Sequence, residues 1–331
     1  MPDALKPGGF IPVVHAATKD RPDEIDTLIS AEAVAGALAE LGFATDIVAI
    51  DLDLNHFHAL KRRNPILVFN LVEAVRGDGR LAPVIPSLLD AFGLPHTGAH
   101  SDACLETLSK LATKLKLQRE GLPTPEFSVN GAALDPDVPY IVKAVWEHGS
   151  LGLDESSVVK GADVARVIAE RTKHFGTEHF AEAYVEGREF NLALLEERGR
   201  ARVLPIAEIL FEDWRGGHPR IVGYDAKWTS DSDAYIGTPR RFGFEEDEPV
   251  LAARLEELAL TAWDLFGLTG YARVDFRVDA EGKPWILEVN VNPCLNPDAG
   301  FAAAAASAGL SYCDLIGRII DAAPRALQAI A

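Results

Sequence analysis

The stretch from Gly270 to Asn290 constrains the fold more tightly than any other part of the chain. Both of its halves alternate apolar and polar residues with period two, the mark of strands with one buried face. A tight turn centred on Glu281-Gly282 joins them into a hairpin. The register this implies sets Asp275 against Glu288, Arg273 against Asn290 and Arg277 against Ile286. The intervening pairs are Val274 with Val289, Phe276 with Leu287, and Val278 with Trp285. One face is then apolar, and the other gathers Arg273, Asp275, Glu288 and Asn290; a one-residue slip would mix the two sets. Two directly opposed carboxylates repel unless a cation lies between them. Asp275, Glu288 and the amide oxygen of Asn290 form a hard oxygen set that suits Mg²⁺ shared with nucleotide phosphates. Arg273 is placed to steady negative charge developing on a carbonyl or phosphoryl group. The alternation is also compatible with a solvated hairpin face carrying cross-strand ion pairs, and the pattern alone leaves both readings open.

Upstream, strand and helix signals alternate. Pro12 to Ala16 and Phe43 to Ile50 read as strands, with helical spacing from Thr27 to Leu41 between them, ended by Gly42. Ile66 to Leu71 is another strand, and Leu81 to Phe92 a helix stopped by Gly93. This rhythm predicts an open, mostly parallel α/β sheet. A helix over Leu105 to Glu120 follows, then strands at Phe127 to Val129 and Tyr140 to Val145, a helix over Val164 to Phe175, and a strand at Phe180 to Val185. Strands at Glu189 to Leu195 and Val203 to Leu210 come next. Glu212 to Phe244, rich in Gly, Asp and Pro, reads as long loops of the kind a rigid scaffold uses for function. A helix from Pro249 to Phe266 precedes the hairpin, and a last helix starts at Tyr312.

Composition narrows the function classes. With 50 acidic and 32 basic residues, the net charge of −18 argues against nucleic-acid binding through a basic surface and against a polybasic membrane patch. No run approaches the ~18 apolar residues of a spanning helix, and Met1 to Phe10 lacks the apolar core of a secretory signal. The cysteines, Cys104, Cys294 and Cys313, are too widely spaced for a disulfide framework or a zinc site and suit a reducing cytosol, so a cytoplasmic protein is expected.

Lys143 ends an apolar strand, and Glu147-His-Gly149-Ser150-Leu-Gly152 follows it. Backbone N–H groups of such a loop can cradle phosphates while the lysine supplies a point charge, although Gly-x-x-Gly loops are also ordinary turns. Neither a Walker-type Gly-x-x-x-x-Gly-Lys-Ser/Thr nor a dinucleotide Gly-x-Gly-x-x-Gly is present. Further on, Glu182 and Glu189 flank a bend between two strands, where one could accept from an adenine amine and the other from ribose hydroxyls. Surface carboxylates at a turn would look the same.

Together these residues resemble the ATP-grasp superfamily, in particular its D-alanine–D-alanine ligase branch, from about Asn64 to the end of the chain. The most specific pieces are Arg273-Val-Asp275 and Leu287-Glu288-Val-Asn290-Val-Asn-Pro293, with Ala308 to Ile316, Gly93 to Gly98, Lys110 with Lys114, and Gly121 to Pro125 in support. The resemblance implies a three-domain α/β architecture: an N-terminal parallel domain over 1–103, a central lobe over 104–187 and a C-terminal, metal-binding lobe over 188–331, the last two sandwiching ATP. It implies that Asp275, Glu288 and Asn290 hold one or two Mg²⁺, with Mn²⁺ an acceptable substitute. Lys110, Lys143 and the loop through Gly149, Ser150 and Gly152 would contact phosphates. Glu182, the backbone at Tyr184 and Val185, and Glu189 would bind adenosine. Lys227 would reach the γ-phosphate from a mobile loop, Ser150 would assist catalysis, and Arg273 would stabilise the tetrahedral intermediate. The implied activity is ADP-forming ligation of a small carboxylate to an amine, amino acids among them, through an acyl phosphate, by a homodimer.

The departures from that branch lie at the amino-acid end. The Gly-Gly-x-Ser-x-Glu signature, whose Glu binds the first substrate's ammonium, is missing after Val13-Val14-His15, and Asp23 and Glu24 have the wrong spacing to replace it. Phe69-Asn70-Leu-Val-Glu73 replaces a His-Gly motif, and Trp228 stands where the branch often has Tyr. Cys294 follows Pro293 in place of Gly, and Asn296 to Gly300 does not reproduce the Ser-containing loop that binds the second substrate's carboxylate. Altered amino-acid substrates are therefore expected. An authentic D-alanine–D-alanine ligase and a non-catalytic ATP-binding regulatory protein stay open as alternatives. Cys294 reads as a small packed thiol rather than a nucleophile.

Overall fold

The structure is a computed structural model that describes residues 7–17, 22–147, 149–150, 152–212, 218–229 and 231–323, with the side chains of residues 22–24 and 228 also outside the description. In chain order the elements are β1 (Val13–Ala16), α1 (Pro22–Glu40), β2 (Ile47–Ile50), α2 (Leu54–Arg62), β3 (Phe69–Asn70), α3 (Val84–Ala91), α4 (Ser101–Leu108) and α5 (Lys110–Arg119). Then come β4 (Phe127–Ser128), β5 (Pro139–Ala144), β6 (Val158–Lys160), α6 (Gly161–Phe175) and β7 (His179–Ala183). The last part holds β8 (Arg188–Glu197), β9 (Arg200–Val203), β10 (Ala207–Ile209), α7 (Tyr224–Trp228), α8 (Asp233–Ile236), β11 (Arg240–Arg241), α9 (Pro249–Leu265), β12 (Tyr271–Val278), β13 (Pro284–Asn290), α10 (Gly300–Ser307) and α11 (Tyr312–Ala322).

Three sheets result. A parallel sheet of order β2-β1-β3 bears out the βαβ rhythm of the first hundred residues. An antiparallel sheet of order β4-β7-β5-β6 packs on α6 through Val142, Val164, Val167 and Ala181. A larger antiparallel sheet runs β11-β10-β8-β12-β13, with β9 also on β8. Its apolar face, including Leu192, Val274, Phe276, Ile286 and Val289, packs against Leu255, Leu258 and Ala262 of α9. The mixed α/β class is as expected from the sequence. One core is shared between the ends of the chain: Val34 and Leu38 of α1 pack with Phe301 of α10 and Ile316 and Ile319 of α11.

Several elements differ from the sequence reading. The amphipathic α2, capped by the Asp53 side chain on Asn55 N, lies where no helix was expected. The helix expected over Leu105 to Glu120 is broken at Ser109, whose extended backbone ends α4 and whose hydroxyl caps α5 at Ala112 N. The segment Glu212 to Phe244 carries the short α7 and α8 within its loops.

The hairpin register is correct at Arg273–Asn290, Val274–Val289 and Asp275–Glu288, then shifts. Phe276 pairs with Ile286, Arg277 with Trp285 and Val278 with Pro284, so the expected pairings of Phe276 with Leu287, Arg277 with Ile286 and Val278 with Trp285 are wrong. A β-bulge absorbs Leu287. It puts Ile286 in the core, fully buried, and leaves half-buried Leu287 at the cleft described below. The Ile286 amide also donates to the Pro123 carbonyl at 2.8 Å, which holds β13 in the shifted register.

The bend between β7 and β8 turns on Gly187, where a Cβ would come within 2.0 Å of the Val278 carbonyl oxygen. Gly187→Ala must push these strands apart, and we expect a loss of about 1–3 kcal/mol in unfolding free energy. Chemical denaturation measures it, and an unchanged midpoint would contradict this packing.

Candidate active site

The cleft lies between the four-stranded sheet and the β12–β13 face of the larger sheet, and encloses about 890 Å³ of empty space including its open mouth. Lys110, Lys143, Ser150, Gly152, Glu182, Tyr184, Val185, Glu189, Lys227, Asp275 and Glu288 all line it. These residues come from eight separate stretches of chain, and the fold brings them together. Gly149 and Asn290 line an adjoining pocket instead. Arg273 stands beside the cleft, bound to Asp275.

At the floor, Asp275 and Glu288 are direct cross-strand partners. Their side chains are 12% and 15% exposed, buried enough that two uncompensated charges would be costly. Arg273 forms a bidentate pair with Asp275, Nε to Oδ1 at 2.7 Å and Nη2 to Oδ2 at 2.9 Å. Asn191 on β8 donates to Oδ1 at 2.9 Å. Burial opposes the Arg273 charge, but Asp275 outweighs it and raises the guanidinium pKa further. Lys110 Nζ lies 3.8 Å from Glu288 Oε1. Asp275 Oδ2 accepts one of these hydrogen bonds and so keeps acceptor capacity. Two carboxylates in register and an amide one position along the same face fit a hard divalent cation by donor chemistry.

Above the floor, Lys110 begins α5, its amide donating to Val145 O at 3.0 Å and its ammonium to the Glu147 carbonyl. Lys114, one turn further, faces the same way. It is 1% exposed and pairs with Glu182 Oε2, while Lys143 donates to Glu182 Oε1 at 2.5 Å. Burial alone would raise the Glu182 pKa; the two ammonium groups outweigh it and hold the carboxyl below its usual range. Burial pushes the Lys114 pKa down, against the pull of Glu182. Glu182, read from sequence as a nucleotide acceptor, is thus already held by two lysines here. Glu189 likewise pairs with Arg277 Nη2 at 2.9 Å.

Two loops cover the cleft. Ser150 adopts φ 60° and its hydroxyl donates to Val222 O at 3.2 Å, and Tyr224 N donates to Leu153 O at 3.0 Å. The glycine loop is thereby stitched to the loop that carries Lys227. Burial and then the nearby Arg273 charge depress the Lys227 pKa, against the pull of Glu288 and Asp275.

Lys114, known from sequence only through the resemblance, and Arg277, read only as a hairpin face residue, are the cations the site assignment missed. Their signals were present, as helical spacing from Lys110 and strand spacing from Asp275. Asn191 gave none. Of the residues at the amino-acid end, Glu73 lines the adjoining pocket. Cys294 donates to Asp26 Oδ2 at 2.8 Å, and burial with the Asp26 and Glu73 charges pushes its thiol well up, so it stays protonated. The Asp23, Glu24 and Trp228 side chains lie outside the described residues.

Residues 128–321 match the family model described as D-ala D-ala ligase C-terminus. The chain is 32% identical over 312 residues to a D-alanine–D-alanine ligase of Moorella thermoacetica, covering 90% of this chain and 94% of that one. It is 31% identical over 307 residues to an uncharacterized protein, y4sG, of Sinorhizobium fredii, with 89% and 87% covered. In fold it is similar to the D-alanine–D-alanine ligase of Bacillus anthracis complexed with ATP, with a TM-score of 0.72 at 20% identity over 95% of this chain and 97% of that one. Two antiparallel sheets closing on a common cleft, behind a parallel sheet, are the ATP-grasp architecture. Within it, the chain belongs to the D-alanine–D-alanine ligase family of ADP-forming carbon–nitrogen ligases. Among the described residues, no helix is long and apolar enough to cross a membrane.

The Glu182 cluster has a pH signature. Its folded pKa is depressed, so its contribution to stability is full above the ordinary carboxylate pKa of 4.5 and is lost as pH falls below that through the folded value. Glu182→Gln removes this titration and strands the buried Lys114 and the half-buried Lys143, with a cost of about 3–5 kcal/mol at neutral pH. Urea unfolding from pH 7 to pH 3 should give the wild type the steeper acid decline; parallel curves would contradict the cluster.

Proposed function

We propose that this chain is a Mg²⁺- and ATP-dependent ligase that joins a carboxylate to an amine through an acyl phosphate, with amino-acid substrates other than paired D-alanine. The observation that carries the proposal is the Asp275–Glu288 opposition at the floor of a cleft lined by Lys110, Lys143 and Lys227. Bound there by Asp275, Glu288 and Asn290, one or two Mg²⁺ would neutralise charge on the nucleotide phosphates.

The chain's own groups do the rest. Lys110, Lys143 and the backbone of Gly149, Ser150 and Gly152 hold the triphosphate, and Tyr184, Val185 and Glu189 hold the adenosine. A substrate carboxylate oxygen attacks the γ-phosphorus; the new O–P bond forms as the bond to ADP breaks. A neutral amine then attacks the acyl carbon, phosphate leaves, and the amide nitrogen loses a proton. Arg273, fixed by Asp275, faces the oxyanion of that second step. Lys227 orients the γ-phosphate, and the stitched loops keep water from the acyl phosphate. The altered substrate reading rests on the amino-acid end, where the protein's own Asp26 already engages Cys294 and Asn296.

A coupled ADP-release assay across amino-acid pairs tests this. Glu288→Gln should lower kcat roughly 100-fold or more, because a metal ligand is lost. Amine-dependent ADP release that survives Glu288→Gln would rule the proposal out, and robust turnover of D-alanine alone would remove its altered-substrate part.

A further inference from the structure

The adjoining pocket differs from the cleft in charge. Among its described lining residues, Asp26, Glu73 and Glu147 are charged, and none is a lysine, arginine or histidine. The cleft next door mixes both signs, Lys110, Lys143, Lys227 and Arg277 with Glu147, Glu182, Glu189, Asp275 and Glu288. Glu147 lines both, so the two spaces adjoin there, and β13 borders both, with Asn290 lining the pocket and Glu288 the cleft. Asp26 and Glu73 both line the pocket, and Asp26 accepts from the Cys294 thiol at 2.8 Å.

Part of the pocket's lining is apolar. Ala82, Pro83 and Pro86 at the start of α3, Leu108 at the end of α4, and Trp146 after β5 form it. Its N-terminal wall is one segment running from Asn70 to Pro86, and that wall is braced. Thr97 Oγ1 accepts from Asn70 N at 3.0 Å, and Asn70 Oδ1 from Val72 N at 3.1 Å. Val75 and Asp78 exchange hydrogen bonds across Arg76 and Gly77, which adopt φ 56° and 77°. Gly79 packs so closely on the Trp146 carbonyl that a Cβ would lie 2.7 Å from it. A wall this constrained is preorganised to select by shape.

Resting on the ligase reading above, we propose that this pocket holds the acyl donor as an α-amino acid with an apolar side chain larger than a methyl group, its ammonium held by Glu73. The donor's carboxylate then points past β13 into the cleft, and its side chain lies among Ala82, Pro86 and Leu108. The carboxylates among the described lining residues attract an ammonium and repel a second carboxylate. The apolar part gains from each added methylene and gains little from alanine.

Hydroxylamine as a general nucleophile isolates the donor, because it converts the acyl phosphate into a hydroxamate and phosphate. The full-length protein would be given Mg·ATP, hydroxylamine, and alanine, leucine or phenylalanine of either hand, with 4-methylpentanoate as leucine without its ammonium. Leucine or phenylalanine of one hand should exceed alanine by roughly 10-fold or more in kcat/KM, as methylene discrimination in an apolar pocket allows. Leucine should exceed 4-methylpentanoate by roughly 10-fold or more, and Glu73→Gln should close that gap by lost charge-assisted hydrogen bonding. Ala82→Phe should shrink the leucine-to-alanine ratio by roughly 10-fold through lost volume. Thermal stabilisation by Mg·ATP verifies that each variant is folded. Hydroxamate formed best from alanine, or equally from leucine and 4-methylpentanoate, would overturn the pocket assignment and leave the ligase intact. No hydroxamate and no ADP from any carboxylate would overturn the ligase reading itself.

Discussion

Two carboxylates facing each other across a pair of hydrogen-bonded strands are an electrostatic fault that a protein tolerates only with compensation, and Asp275 with Glu288 is that fault here. The apolar side of the same hairpin, with Val274, Phe276, Ile286 and Val289 fully buried against α9, fixes the register so that neither residue can turn away. Compensation then arrives from every direction. Arg273 grips Asp275 along its own strand, Asn191 reaches it from the neighbouring strand, and Lys110 approaches Glu288 from the start of α5.

The second buried charge cluster repeats this logic. Glu182 sits between Lys114 and Lys143, so the positive lining of the nucleotide cleft is held in place by the protein's own anion. Such clusters contribute little to stability relative to apolar packing, but removing one member is expensive, which makes them strong determinants of local geometry. The two spaces also differ in charge: the cleft between the two antiparallel sheets pairs its cations with carboxylates, while the described charged groups of the adjoining pocket are acidic.

Much of this was legible in the sequence where periodicity is strong. The alternation around Asp275 and Glu288 gave the correct pairing because an apolar face punishes a slip. It failed beyond Asp275 because a bulge at Leu287 costs one unpaired residue and leaves the hydrophobic pattern almost unchanged, so nothing local reports it. The parallel sheet followed from strand–helix alternation, whereas α2 was missed because Leu54 to Arg62 is polar overall and buries just Phe57 and Leu60. Lys143, Glu182 and Glu189 line one cleft, yet their partners were not foreseen: Lys114 and Arg277 meet them only through tertiary packing. The constraint on Asp26, which binds Cys294 and Asn296 some 270 residues away in the chain, has no local signature at all.

The central claim is that Asp275 and Glu288 oppose each other in order to hold a divalent ion with the nucleotide. Mn²⁺ electron paramagnetic resonance with a non-hydrolysable ATP analogue reads that directly, since bound and free ion give separate signals. The account predicts tight Mn²⁺ uptake by wild-type protein that depends on the nucleotide and falls sharply in Asp275→Asn. Uptake that is undiminished in that variant, or that does not depend on the nucleotide, would contradict it.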